Sequence, residues 1–245
     1  MTKQLLIYGN ATPISSERHR GWGIEPTGDL SFAKTVNSVP LTAVEFFSAA
    51  ESFPVVFTKN GDNVLPLAVM GVKPEQNLFI NEEGKFTANY LPAFFRRYPF
   101  VFSSNDEGKN FLLCIDETYA GCSPDGKGER LFDDEGKQTE YLGKVLDFLK
   151  EYQMNFARTQ SFCARLQEWD LLEPMEAQFT PNDGGEKIRL GGFLAVSRDK
   201  LKALDSDKLA ELMKNDGMEL IFTHLQSLRK FRELIAKVPA DTTAK

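Results

Sequence analysis

The chain has 245 residues, 42% of them hydrophobic and 26% charged, with a net charge of −6 and a pI near 5.2. It can bury a sizeable core, and its acidic balance excludes the positive field on which non-specific nucleic-acid binding rests. No apolar stretch approaches the length of a membrane span, and the run Leu5 to Tyr8 is too short for the core of a secretion signal. The three cysteines are an odd number outside any small disulfide framework, so reduced thiols and a cytoplasmic location are expected.

Residues 11 to 40 are interrupted by Pro13, Gly21, Gly23, Pro26 and Pro40 and predict irregular chain. Leu41 to Phe53 predicts a short helix. Pro54 to Thr58 and Val64 to Met70 flank Lys59-Asn-Gly-Asp62 and predict a hairpin. Leu78-Phe-Ile80 and Lys85-Phe86 flank the turn Asn81-Glu-Glu-Gly84. Tyr90 to Arg97 predicts one or two helical turns, followed by strands at Pro99 to Ser103 and Phe111 to Asp116 joined by a polar tip.

The pattern changes near Gln138. Leu142, Leu146, Leu149, Tyr152, Phe156, Cys163 and Leu166 recur near helical spacing, which predicts a long helix from Glu140 to Glu168. Glu176 to Thr180 and Lys187 to Val196 predict a second hairpin around Pro181-Asn-Asp-Gly-Gly185. Ser197 is a plausible cap for a helix reaching Leu204, and a further short helix covers Lys208 to Lys214. Met218 to Lys237 predicts the last helix, with a frayed tail after Val238. The expected fold is α+β: a strand-rich N-terminal half packed with a long helix, a hairpin and a C-terminal helix, in one domain spanning residues 1–245.

Several chemistries find no support. The two histidines, His19 and His224, lack the neighbouring carboxylate of a two-histidine iron site, and Cys114 and Cys122 are too far apart for a zinc knuckle. Neither a phosphate loop nor a Gly-x-Ser-x-Gly elbow occurs. Cys114 and Cys163 sit in apolar patterns and read as core. Cys122 is in a loop without an activating neighbour. No cofactor, no metal and no catalytic residue is therefore assigned.

The candidate ligand-binding residues are Arg18, His19, Arg20, Trp22, Arg96, Arg97, Asp116, His224 and Ser227. The first four lie in a polar loop, where function concentrates, although an arm tied down by ion pairs has the same composition. Arg96 and Arg97 are adjacent, so their guanidiniums diverge. One is free to pair with Asp116 or Glu117, and the other to grip an anionic group; a purely structural ion pair is the simpler reading of the two. His224 and Ser227 share a helix face, either as a base and hydroxyl or as a hydrogen-bonded histidine at the core boundary. The loop Glu17 to Trp22 is expected to pack near the Arg96-Arg97 turn.

The chain resembles the SapC family. The resemblance rests on Glu17-Arg-His-Arg-Gly-Trp22, Val39-Pro-Leu41 with Glu45-Phe46, Phe53-Pro-Val-Val-Phe57 and Asn77-Leu-Phe-Ile80. It continues through Tyr90-Leu-Pro-Ala-Phe-Phe-Arg-Arg-Tyr-Pro-Phe100, Cys114-Ile-Asp116, Leu171-Leu-Glu-Pro174, Gly191-Gly-Phe193 and His224-Leu-Gln-Ser-Leu228. It implies a bacterial protein with a genetic link to surface-layer production, and it supplies no catalytic residue. Two functions follow as expectations. One is a cytoplasmic accessory protein that binds a protein or peptide of envelope or secretion pathways. The other is an enzyme acting on a peptide or small metabolite, with a site joining His19, Arg96 or Arg97, and His224. A deep pocket would favour the enzyme; a shallow apolar groove or exposed strand edge would favour the binder.

Overall fold

A computed structural model of the chain describes residues 7–104, 110–179 and 188–238. In chain order its strands are β1 (Ala11–Pro13), β2 (Gly23–Ile24), β3 (Ser38–Pro40), β4 (Val55–Asn60), β5 (Asn63–Val69), β6 (Phe100–Ser103), β7 (Leu112–Asp116), β8 (Cys122–Ser123), β9 (Glu129–Arg130), β10 (Leu172–Phe179) and β11 (Ile188–Val196). The helices are α1 (Ser16–His19), α2 (Phe46–Ala50), α3 (Ala93–Arg96), α4 (Glu140–Glu168), α5 (Arg198–Lys202), α6 (Ser206–Lys214), α7 (Gly217–Ser227) and α8 (Lys230–Ala236). Antiparallel sheets and helices alternate along the chain, so the fold is α+β.

The strands form three sheets, ordered β1-β7-β6, β8-β2-β9 and β10-β11-β4-β5-β3. The β4–β5 hairpin closes in two residues because Gly61 supplies a φ of 62° at the first turn position. Each outer strand of the five-stranded sheet carries a proline, and register places both alike. The Ser197 N–H donates to the Leu171 carbonyl, so the Pro174–Leu194 pair three positions on is a non-bonded one. The Met70 N–H donates to the Asn37 carbonyl, which makes Pro40–Leu67 non-bonded as well. Pro174 and Pro40 therefore turn their donor-less nitrogens to the free edges, where another strand would need a hydrogen bond.

The long helix α4 has the predicted bounds. Thr139 caps it through the Leu142 N–H at 3.3 Å, and the backbone ends it by turning left-handed at Asp170, φ 50°. At about 1.5 Å per residue it runs roughly 43 Å, long enough to serve two cores. Leu142 and Leu149 join Ile24, Phe100, Ile115, Leu131 and Phe132 at its N-terminal half, whereas Cys163 and Leu166 join the main core on the five-stranded sheet.

Three boundaries differ from expectation for physical reasons. The segment Leu41 to Phe53 starts as helix only after Thr42, which is extended and forms a reciprocal capping box with Glu45. The second hairpin begins at Leu172 rather than Glu176, since Pro174 is admissible on an edge strand. The last helix is two helices. The Ser227 hydroxyl donates at 2.6 Å to the His224 carbonyl, which an unbroken helix would offer to Leu228, and α7 ends there. The expected turn at Pro181–Gly185, the tip at 105–109 and the tail after Val238 fall outside the described residues.

Candidate functional site

The nominated residues separate into three places. At the first, the Ser15 cap starts α1 and brings Arg18 and His19 onto Glu117, just past the end of β7. Arg18 grips that carboxylate with two bonds of 2.6 and 2.7 Å. His19 is fully buried. Its Nδ1 lies 3.3 Å from the Ser15 N–H, which can only donate, so Nε2 carries the proton given to Glu117 at 3.1 Å. The Arg18 hydrogen bond, aided by His19, holds the Glu117 carboxyl below the usual range against partial desolvation. Trp22 sits edge-on to the His19 ring at 5.1 Å, and the exposed Arg20 lies beside the Gly136 turn. The loop thus brings Arg18 and His19 to Glu117 rather than to the arginine turn.

Asp116, next in the chain, is fully buried and does not serve as an arginine partner. Its oxygens accept from the Gly9, Asn10 and Thr118 N–H groups at 2.7 to 3.1 Å and from the Thr118 hydroxyl at 2.6 Å. Burial pushes its carboxyl up, and these hydrogen bonds outweigh that and leave it lowered. Its role is to fasten the chain before β1 to the end of β7.

The second place is the far core. His224 is fully buried, donating from Nδ1 to the Val55 carbonyl at 2.7 Å and accepting at Nε2 from the Val196 N–H at 3.1 Å. Desolvation lowers its pKa to about 4, so it is neutral. The Ser227 hydroxyl accepts from the Val55 N–H at 2.9 Å. These bonds tie α7 to β4 and β11; the pair is a structural clamp, and neither ring nitrogen is free to act as a base. His19 and His224 share no hydrogen-bond partner.

The third place is the arginine turn, where α3 splits the pair. Arg97 turns inward, 4% exposed, with its guanidinium carbon 4.3 Å from the Phe94 ring centroid, 5.1 Å from Tyr152 and 5.7 Å from Tyr8. Arg96 turns outward. Its Nε donates to the Leu91 carbonyl at 3.1 Å, a terminal nitrogen donates to the Tyr90 hydroxyl at 3.3 Å, and the guanidinium rests 5.4 Å from the Phe148 ring centroid. Among the described residues no carboxylate lies within ion-pair distance of it. The Tyr90 hydroxyl in turn donates to buried Glu45 at 2.9 Å. Glu45 also accepts from the N–H groups of Thr42 and Ala93 and from the Thr42 hydroxyl, so the position of Arg96 is fixed from the core.

Arg96 lines an open groove of about 340 Å³. One wall is the face of α4 carrying Tyr141, Lys144 and Phe148, and the other is the turn from Arg96 to Phe100, with Ile24, Pro26 and Tyr119 at the end. Sequence reasoning missed Tyr90, Tyr141 and Phe148. The capping signature Thr42-Ala-Val-Glu45 was the available signal for the Glu45 network, whereas α4 side chains at i, i+3 and i+7 become a groove wall only once the turn packs opposite. Two larger clefts, 510 and 580 Å³, flank β10 and contain none of the nominated residues.

Among the described residues no group of three His, Cys, Asp or Glu side chains is placed to hold a metal ion, and no helix is long and apolar enough to cross a membrane. Residues 14–234 match the family model described as SapC. Comparison with curated proteins and with solved structures gives no match.

Proposed function

The chain belongs to the SapC family, and we propose that it is a cytoplasmic accessory protein that binds a protein or peptide partner connected with the cell envelope or secretion. The carrying observation is Arg96: a cation oriented by Leu91 and Tyr90, lacking a carboxylate among the described residues, at the rim of an aromatic groove. Arginine on an aromatic surface is a common anchor in protein interfaces. The residues that could have formed a catalytic set are engaged elsewhere, His19 on Glu117 and His224 on Val55 and Val196. Prolines at both edges of the large sheet disfavour strand addition, which leaves the groove as the better docking place. Three unbridged thiols accord with a reducing compartment.

The test is affinity capture from extracts of the native host with three baits: wild type, Arg96→Ala, and Arg229→Ala as a surface control away from the groove. A partner held by wild type and control, lost from Arg96→Ala at unchanged Tm, is the expected result. Equal capture by all three sinks the groove as the binding place.

A further inference from the structure

The cleft of about 510 Å³ between β10 and α8 shares no lining residue with the Arg96 groove, and two guanidiniums reach it with nothing to neutralise them. Arg229 and Arg232 both line it. The Arg232 N–H donates to the Arg229 carbonyl at 3.2 Å, the bond of a 3-10 turn, in which residues three apart stand one above the other. Both residues are exposed, and among the described residues neither side chain has a hydrogen-bond or ion-pair partner. Glu233, the acidic residue in the lining, is already held by Lys230, with both oxygens at 2.9 Å. From Arg229 to Lys237 the sequence carries four cations and one carboxylate, against a net charge of −6 overall. The floor of the cleft is apolar. Phe231 is stacked on Phe193 at 5.4 Å and is 3% exposed, Ala177 is buried, and half-buried Met175 and Leu228 supply the accessible apolar surface.

Two stacked cations above an apolar floor select a ligand with a doubly charged acceptor at one end of an apolar body. Independently of the Arg96 groove, we infer that this cleft takes a single-chain amphiphile with a phosphate monoester head, the phosphate between Arg229 and Arg232 and the chain against Met175, Leu228 and Phe231. A phosphate monoester carries nearly two negative charges near neutral pH and three acceptor oxygens, which serves two guanidiniums, whereas a carboxylate matches one. An acidic peptide fits less well. Its backbone amides would lie on a floor where Gln178 is the uncharged polar side chain, while an alkyl chain asks for no hydrogen bond. A bilayer also fits less well, because none of the apolar lining residues is exposed enough to enter it. The occupant is a small molecule, so Arg229→Ala remains a control for a protein partner at the groove.

The experiment is calorimetric titration of the full chain with decyl phosphate below its micelle concentration. Butyl phosphate tests the chain, decyl maltoside the head, decanoate the charge on the head, and vesicles containing phosphatidic acid the bilayer. Decyl phosphate should bind at least about tenfold tighter than each of the other three soluble probes, as charge-assisted hydrogen bonds and burial of several methylenes predict. Arg229→Gln and Arg232→Gln should each weaken it by about tenfold at unchanged Tm, and Arg158→Gln, an exposed substitution on α4, should leave it unchanged. Equal binding of decyl maltoside overturns the phosphate, equal binding of butyl phosphate overturns the apolar floor, and equal binding of decanoate overturns the doubly charged head. Unchanged affinity in both arginine variants overturns the placement in this cleft. Sedimentation with the vesicles in the absence of binding to decyl phosphate makes the surface a membrane contact and overturns the inference, as does binding of no probe at all.

Discussion

His224 makes stability depend on pH in a window that isolates it well. Its pKa is lowered to about 4 by burial, with a smaller opposing contribution from the Val55 carbonyl, whereas an unfolded histidine titrates near 6.5. Between those values the unfolded chain binds a proton that the folded chain does not. Stability therefore falls as pH falls, by about 1.4 kcal/mol per unit, to a total of about 3 kcal/mol at pH 4. Above pH 6.5 both states are neutral there and the slope from this residue vanishes. The perturbation is His224→Gln, whose amide can still donate to Val55 and accept from Val196. Urea unfolding of wild type and variant at pH 7, 6 and 5 gives the difference in stability, from which other titrating groups subtract. The advantage of wild type should shrink by about 2 kcal/mol between pH 7 and pH 5. Parallel curves, or an imidazole NMR titration of the native protein with a midpoint near 6.5, would refute the reasoning.

Asp116→Ala should lower stability by about 1–2 kcal/mol in urea unfolding, because a buried carboxylate accepting four hydrogen bonds is lost while its donors on Gly9, Asn10 and Thr118, all exposed residues, can turn to water. The wild-type carboxyl is lowered on folding, so its contribution is present above about pH 4 and is lost as pH falls through the folded value; the difference from Asp116→Ala should narrow there. Gly192, φ 84°, sits in the bulge where Gly191 and Gly192 together oppose Glu176; Gly192→Ala should cost about 1–2 kcal/mol, read as a lower Tm. Burial pushes the Cys122 thiol up to about 11 and Cys163 up to about 12, with Asp116 and Glu117 adding to the first. No cysteine should therefore react quickly with a disulfide reagent at pH 7.5 until the protein unfolds, and one fast thiol would contradict the burial of Cys114 and Cys163 or the raised thiol of half-buried Cys122. Tyr90→Phe removes the acceptor that orients Arg96 without removing its charge; partner affinity should fall several-fold while Tm drops slightly, and unchanged affinity would mean that Arg96 needs no positioning.

Helical and hairpin periodicities were legible because each rests on local repeats: α4 keeps its apolar stripe through Leu142, Leu149, Tyr152, Phe156, Cys163 and Leu166, and Asn-Gly-Asp marks the β4–β5 turn. The division of labour between Arg96 and Arg97 was legible only in outline. Divergence of neighbours on a helix is a local rule, but which guanidinium turns inward depends on Phe94, Tyr152 and Tyr8, and the last two lie 55 and 89 residues away from Arg97 in the chain. In the sequence Asp116 reads as one of two carboxylates open to an arginine, since sequence displays charges and hides backbone donors; four of the five donors near it belong to Gly9, Asn10 and Thr118. The histidines failed to meet for a similar reason. Each finds partners on the strands beside it, His19 at the end of β7 and His224 at β4 and β11, so nothing draws them together.

The groove lies where it does because α4 outruns either core. A helix of roughly 43 Å passes from the cluster around Ile115 and Leu131 to the sheet carrying Phe57, and the α3 turn is wedged against it near the change-over. Tyr152 and Phe148, one turn apart on α4, meet the two arginines on opposite terms. Tyr152 is buried and receives Arg97 as part of the packing, while Phe148 is half-exposed and leaves Arg96 a face toward solvent. The same dipeptide thus locks the seam and arms its rim. Any substitution that loosens the inner contact also shifts the outer cation, so binding measurements on Arg97 variants report mainly stability, and only Arg96 and the groove wall of α4 separate the two effects.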